Sequence, residues 1–194
     1  AKEVEAIEAQ APSLARLTPV MQMNPTVQYR DTVRQAVLVQ GIRPSWHDIE
    51  QRFVTKGRPF NSIDEEEGRS VCLINDKGVE EMGMANDPTG DFLLVGGRRF
   101  MIVGVVETKQ AAAMFGGDEA QTEIYIPFRT GEMMRPEPRM YIIAQTHKPE
   151  QFEDAKEEVR YIMRKMRGLA PNDPDTFGVE SIEQARAQFG KVAA

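Results

Sequence analysis

The sequence predicts an α+β fold of one domain or two modest lobes. Strand and helix patterns are mixed along the 194 residues, and a chain of this length buries a substantial core. The strongest strand signal is a predicted hairpin in residues 87–106, where apolar runs at Phe92–Val95 and 99–106 flank Gly96-Gly97. The strongest helix signal is residues 149–167, whose apolar side chains recur at helical spacing.

The first sixty residues predict two helices and two strands. Apolar residues at helical spacing predict a helix over residues 2–10, and a second that begins at Ser45 and ends before Gly57. Alternation of apolar and polar side chains predicts strands over residues 14–23 and 33–40.

Short elements separated by turns follow. Ser62 and Glu65 have the spacing of a capping box, which predicts a short acidic helical turn. Next come, in order, a strand at residues 71–74, a small helix at 77–82, the hairpin, and a strand at 123–127. Within the hairpin, Gly104 predicts a bulge or a close backbone approach. Two prolines at 136 and 138 place a linker over residues 130–138.

The last third predicts a βαβ or split-βαβ unit. A strand at residues 140–146 precedes the long helix, whose first turns are acidic and whose last turn is basic, as the helix dipole favours. A strand at residues 177–180 follows, and Ser181 begins a final helix.

Composition excludes several classes of function. A formal net charge of −6 argues against a nucleic-acid partner or an anionic lipid surface. No apolar run is long enough to cross a bilayer. Phosphate-binding loops, dinucleotide fingerprints and nucleophile elbows are also missing from the sequence.

The candidate reactive side chains predict no catalytic, cofactor or metal site. Neither His47 nor His147 has the sequence spacing of a metal ligand from another His or a Cys. His47 is expected to have a solvated or capping role, and His147 is expected to lie in a surface loop. Cys72 lies in an apolar run and is expected to be a buried, inert thiol. The acidic residues 64–67 are expected to form a solvated helix start, because consecutive acids on a helix face different ways.

One loop suggests a partner contact. Met114, Phe115 and Gly116 lie among small residues between the hairpin and the next strand. Large flexible apolar groups at a loop tip are candidate partner contacts. An equally weighted alternative is that Met114 and Phe115 plug the base of their own lobe.

Seven short motifs occur in one order over nearly the whole chain. They are VQG at 39–41 followed by a Pro-x-Trp helix start, GRPF at 57–60, VCLIN at 71–75, DPTG at 87–90, FMIVGVV at 100–106, MFG at 114–116 and IYIP at 124–127. Each is weak alone, but their order and spacing are specific. Together they resemble the MacB-type periplasmic core domain of ABC-transporter permeases, the family with FtsX-like membrane segments.

The resemblance implies a domain on the extracytoplasmic (periplasmic) face of the cytoplasmic membrane, between two membrane helices of the permease. It implies a Porter-like, βαβ-containing lobe from residues 1–60 and 139–194, and an inserted, mainly-β Sabre-like lobe from residues 61–138. About 20 apolar residues are then expected before residue 1 and after residue 194.

The activity that the resemblance implies is mechanical. ATP-driven motion of the membrane helices would pass through this domain, which would have no catalytic residue and no cofactor. The implied partners are the permease's own membrane helices and nucleotide-binding domain, a second copy in a homodimer, a periplasmic adaptor and an outer-membrane channel.

Two alternatives remain open. Within the family, the domain could belong to a lipoprotein-release or division-type permease, although the MFG motif favours the MacB-like efflux subgroup. Outside it, a free-standing enzyme or ligand-binding domain would need a converging polar pocket with perturbed ionisable groups.

Overall fold

The computed structural model describes residues 2–108, 121–135 and 139–179, which form a mixed α+β fold. The helices are α1 (Lys2–Gln10), α2 (Ser45–Glu50), α3 (Ser62–Glu66), α4 (Asp76–Glu81), α5 (Phe128–Met134) and α6 (Phe152–Met166). The strands are β1 (Leu14–Met23), β2 (Val27–Tyr29), β3 (Thr32–Arg34), β4 (Leu38–Ile42), β5 (Val54–Gly57), β6 (Val71–Asn75), β7 (Phe92–Val95), β8 (Arg98–Val106), β9 (Glu123–Pro127) and β10 (Arg139–Thr146). The predicted α+β class is confirmed.

The strands of the described residues form one sheet in the order β10-β1-β4-β9-β6-β8-β7-β2-β3. The remaining strand, β5, pairs with β8. The pairs β4–β9 and β6–β8 are parallel. The predicted hairpin is confirmed as β7 and β8, joined at Gly96-Gly97 with both glycines at positive φ. Gly104 faces the Arg58 and Lys56 carbonyl oxygens, and the β6–β8 register shifts beside it, so the predicted close approach is also confirmed.

Two apolar clusters form the core, on opposite faces of β6. Cys72 and Ile74 belong to one cluster, and Val71 and Leu73 belong to the other. Because successive side chains of a strand point to opposite faces, a strand with five buried residues must be covered on both sides.

The chain divides into two compact units, one of Ala1–Leu17 with Ala144–Ala194 and the other of Thr18–Ile143. These bounds differ from those of the predicted lobes, whose assignment stays a prediction. In the first unit, α1 packs on α6. Along the described residues, every helix is too short or too polar to cross a membrane.

The predicted strand over residues 33–40 is wrong in extent. It is two strands, β3 and β4, separated at Ala36, which has a φ of +54°. The Val37 amide donates to the Pro25 carbonyl at 3.1 Å, and this long-range contact starts β4 later than the alternation predicts.

The helix predicted from Ser45 to Gly57 is also too long. It ends at Glu50 because Gln51 adopts the left-handed conformation and its amide donates to the His47 carbonyl. The chain then forms β5, whose partner β8 is far away in sequence. Non-local pairing therefore overrides a helical pattern here.

Three further expectations need correction. Residues 130–134, predicted as linker, belong to α5. Residues 177–179 form no strand, so the described residues do not complete the predicted βαβ unit. The cap of α3 is Asn61 with Asp64, one residue earlier than the predicted Ser62 and Glu65.

Candidate partner-binding site

Met114, Phe115 and Gly116, the predicted partner-binding residues, lie outside the described residues. The structure does describe both ends of the connection that carries them, at Glu107-Thr108 after β8 and Gln121-Thr122 before β9. We use the term loop base for the side chains that hold these ends. The loop base consists of Arg52, Asn75, Asp76, Glu81 and Glu123.

Arg52 holds the end of β8. Its Nε donates to the Glu107 carbonyl at 2.9 Å, and its Nη2 donates to the Glu123 carboxylate at 3.1 Å. The guanidinium carbon lies 5.3 Å from the Trp46 ring centroid and 5.5 Å from that of Tyr125. Arg52 is only 7% exposed, so its charge depends on these partners rather than on water.

Asn75 ties the start of β9 to the end of β6. Its Nδ2 donates to the Gln121 carbonyl at 2.8 Å, and its Oδ1 accepts from the Glu123 amide at 3.0 Å. The same oxygen accepts from the Gly78 amide and so caps α4. These three hydrogen bonds of the buried Asn75 side chain therefore hold β6, α4 and the start of β9 together.

Both ends of α4 contribute further contacts. The Lys77 amide donates to Thr108 Oγ1 at 3.1 Å, and the Thr108 amide donates to Asp76 Oδ2 at 3.3 Å. Glu81 accepts from the Thr122 amide at 3.2 Å and from the Thr122 hydroxyl at 2.6 Å. One short helix therefore fixes both ends of the connection.

Tyr125 is a second hydrogen-bond donor to the Glu123 carboxylate of the loop base. Its hydroxyl donates to the Glu123 carboxylate, which also accepts from Arg52. Burial, followed by the nearby Glu123 charge, raises the pKa of Tyr125 well above its usual value. The phenol therefore stays protonated and remains a donor at neutral pH.

His47 is buried, so its predicted solvated or capping role is wrong. Its Nδ1 lies 2.8 Å from the Arg52 carbonyl, and its ring contacts Trp46 edge-on. Burial lowers the pKa of His47, so the imidazole is neutral and Nδ1–H is the donor. The early end of α2 explains the difference, because the turn at Gln51 brings the Arg52 carbonyl within hydrogen-bonding distance of Nδ1.

Two other predicted placements are confirmed. Cys72 is fully buried, and burial raises the pKa of its thiol, as expected for an inert cysteine. His147 is exposed just after β10. Neither side chain has the setting of a nucleophile or a general base.

The predicted solvated start of the acidic run is wrong for Asp64, which is fully buried. Its carboxylate accepts from Arg58 Nη1 at 2.6 Å and from the Asn61 amide at 3.0 Å. Burial raises the pKa of Asp64, but these hydrogen bonds outweigh it and the net pKa is lowered. Across residues 2–108, 121–135 and 139–179, no cluster of His, Cys, Asp or Glu could hold a metal ion.

Arg52, Asn75 and Glu81 were not predicted as site residues. A signal existed only for Asn75, a polar residue at the end of an apolar strand. Arg52 lies 71 residues from its partner Glu123, and Glu81 lies 41 residues from Thr122. Sequence patterns of neighbouring residues do not reveal pairs at such separations.

Comparison with known proteins gives a family. The family model of the MacB-like periplasmic core domain matches residues 1–162. The macrolide export ATP-binding/permease protein MacB of Nitrosomonas europaea is 24% identical over 166 residues, which cover 82% of this chain and 24% of that protein. The pyoverdine export ATP-binding/permease protein PvdT of Pseudomonas entomophila is 32% identical over 76 residues, covering 39% of this chain and 11% of that protein. The chain thus spans less than a quarter of the length of either relative.

Solved structures share the fold. The periplasmic region of MacB from Actinobacillus actinomycetemcomitans superposes with a TM-score of 0.78 at 14% identity, covering 97% of this chain and 81% of that one. The extracellular domain of the ABC-type transporter YknZ from Gram-positive bacteria gives 0.72 at 18% identity, covering 87% and 84%. This likeness confirms the predicted two-lobe α+β class. With the family model matching most of its length, the chain belongs to the MacB-like periplasmic core domain family.

Proposed function

We propose that this chain is the extracytoplasmic domain of a MacB-type ABC permease and that it transmits ATP-driven motion of the membrane helices to a substrate or partner outside the membrane. The relatives named above are ATP-binding/permease proteins for macrolide and pyoverdine export, which supports efflux or export as the process. ATP would be hydrolysed on a separate cytoplasmic domain, and this domain would be non-catalytic.

The observation that carries the proposal is the link between α1 and α6. Near the first residues of the chain, Arg167 Nε donates to the Glu3 carboxylate at 2.8 Å. At the other end of α1, the Ser13 amide and hydroxyl donate to the Glu158 carboxylate at 3.2 and 2.8 Å. These two links, one near each end of α1, couple α1 to α6, and such coupling would let the pair act as a lever driven by two membrane helices.

The loop base supports a partner-binding role for the loop. The hydrogen bonds that fix the two ends of the loop are mostly part-buried, and a loop with fixed ends loses less conformational entropy on binding. We therefore propose that Met114, Phe115 and Gly116 contact a partner such as a periplasmic adaptor, which would in turn meet an outer-membrane channel.

The first test is topological. Tyr161 is 68% exposed on α6, so Tyr161→Cys in the parent protein should react with a membrane-impermeant maleimide in intact spheroplasts. The parent without this substitution is the control, since Cys72 is buried. Labelling that requires lysis of the spheroplasts would contradict an extracytoplasmic location. About 20 apolar residues flanking each end of the chain would support the same placement.

The loop is tested separately. Met114→Ser with Phe115→Ser should weaken binding of the isolated chain to its adaptor and leave the melting temperature unchanged. A lower melting temperature would instead show that these side chains plug their own lobe.

A further inference from the structure

The outward face of the β7–β8 hairpin carries large apolar side chains. Along β7 the burial alternates, with Phe92 and Leu94 exposed and Leu93 and Val95 buried. Met101 on β8 is opposite Phe92. Exposed apolar side chains on neighbouring strands form a contiguous patch, whereas isolated ones would need no explanation.

The strand register extends this patch to the edge of the sheet. Leu94 is opposite Arg99 on β8 and Gln28 on β2, and Gln28 is opposite Val33 on β3. Val33 is 53% exposed and lies on the last strand of the sheet order. We use the term hairpin face for Gln28, Arg30, Val33, Phe92, Leu94, Arg99 and Met101.

The hairpin face includes two arginines and no acidic residue, although Asp31 and Asp91 adjoin it in the sequence and the whole chain has a formal net charge of −6. A cavity of about 220 Å³ opens on it, and its six lining residues include Arg30 and Arg99 but no acid. The Arg99 guanidinium lies 3.7 Å from the Phe92 ring centroid. Arg30 stands over the Tyr29 ring at 5.0 Å. Aromatic, methionine and arginine side chains are enriched at protein–protein interfaces.

We propose that the hairpin face docks a segment of another protein in which an acidic side chain lies beside large apolar side chains. The acid would pair with Arg99, and the apolar groups would cover Phe92, Leu94 and Met101. A second copy of this chain docking through the same face would bring the arginines of both copies together, which opposes such a dimer. This surface goes beyond the proposed function and uses none of the loop residues assigned there.

The test uses the chain itself and two defined probes. The first probe is a fluorescent synthetic peptide in which Leu and Glu alternate, and the second has Lys in place of each Glu. Fluorescence anisotropy should show that the acidic peptide binds about tenfold more tightly than the basic one, as charge complementarity requires. Arg99→Glu should reverse this preference, and Leu94→Ser should weaken binding of both peptides.

Two controls separate docking from misfolding and from self-association. Tyr161→Ser replaces an exposed aromatic residue on α6, far along the chain from the hairpin, and should leave peptide binding unchanged. Thermal melting should show that Leu94→Ser and Arg99→Glu remain folded, since both side chains are exposed. Equal binding of the two peptides, binding of neither, or a dimer seen by ultracentrifugation and lost in Leu94→Glu would each overturn the proposal.

Discussion

At the residue scale, Asp64 shows how hydrogen bonds stabilise a buried carboxylate. Its partners are a guanidinium and a backbone amide, and its oxygen also completes the capping box of α3. Arg58 is 43% exposed on its side chain, so water screens the ion pair and the hydrogen bonds supply much of the stabilisation. The buried position of Asp64 therefore serves to cap α3.

We expect Asp64→Asn to lower the free energy of unfolding by about 1–3 kcal/mol at neutral pH, because a buried charge-assisted hydrogen bond is lost. The pKa of Asp64 is lower in the folded chain than in the unfolded chain. Its stabilisation is therefore present above the unfolded pKa of about 4 and disappears as the pH falls through the folded pKa. Urea unfolding at stepwise lower pH measures both effects.

The exposed Glu66 on the same helix provides the control for this experiment. Glu66→Gln should leave the unfolding free energy and its pH dependence close to those of the unsubstituted chain. Equal unfolding free energies of Asp64→Asn and the unsubstituted chain across the acid range would show that the Asp64 carboxylate contributes nothing to stability.

At the scale of elements, local sequence signals predicted the hairpin correctly. They failed to predict the bounds of elements that are determined by contacts with residues distant in sequence. The Gly-Gly turn, the apolar runs and Gly104 all act within one short segment, so β7 and β8 were predicted well. The end of α2 depends instead on the pairing of β5 with β8. Residues 130–134 were predicted as part of a linker because of the prolines at 136 and 138, yet α5 forms over Phe128–Met134 and contacts β4.

The same reasoning applies to the candidate site. Apolar residues in a small-residue loop can be noticed from sequence, which is why Met114 to Gly116 were selected. The role of Arg52 in the loop base cannot be noticed from sequence in this way, because Arg52 gains that role only when the end of α2, β8 and β9 are brought together. Burial of Asp64 and His47 was missed for a different reason. Their hydrogen-bond partners lie within six residues in the sequence, and turn geometry that the residue pattern does not reveal brings them into contact.

We expect Arg52→Met to destabilise the fold by about 3 kcal/mol, because Glu123 loses its charged partner at a partly buried site. Hydrogen exchange should become faster at the amides of residues 105–108 and 121–123, and remain unchanged in β7. Arg69→Met is the matched control, since Arg69 pairs with Glu67 at an exposed site and such pairs contribute about 0–1 kcal/mol. Unchanged exchange at both loop ends in Arg52→Met would contradict the proposed role of the loop base.

At the scale of the whole molecule, the proposed force transmission requires α1 and α6 to act together. Each helix buries an apolar face, with Val4 and Ile7 on α1 and Ile162 and Met163 on α6. The Glu158 hydrogen bonds to Ser13 add a polar link where the chain enters β1. Burial supplies most of the stability of such a pair, and the polar link sets its register.

We expect Glu158→Ala to lower the unfolding free energy by about 1–3 kcal/mol, because two hydrogen bonds to a carboxylate are lost. Hydrogen exchange should accelerate at the Ser13 amide. Glu157→Ala is the control, because Glu157 is the adjacent residue, its side chain is 69% exposed, and its ion pair with Arg160 is 4.0 Å long. If both variants had the same stability and exchange, the Ser13–Glu158 link would have no structural role.

The most direct test of force transmission is a distance measurement on the parent transporter in lipid nanodiscs. A spin label at Ala85→Cys, an exposed position, would report by electron–electron double resonance the separation of the two copies in the homodimer that the family resemblance implies, while buried Cys72 stays unlabelled. We expect the distance distribution to shift when ATP binds, and we expect Glu158→Ala to reduce this shift while ATP hydrolysis continues. An identical distribution with and without ATP in the parent transporter would contradict the account.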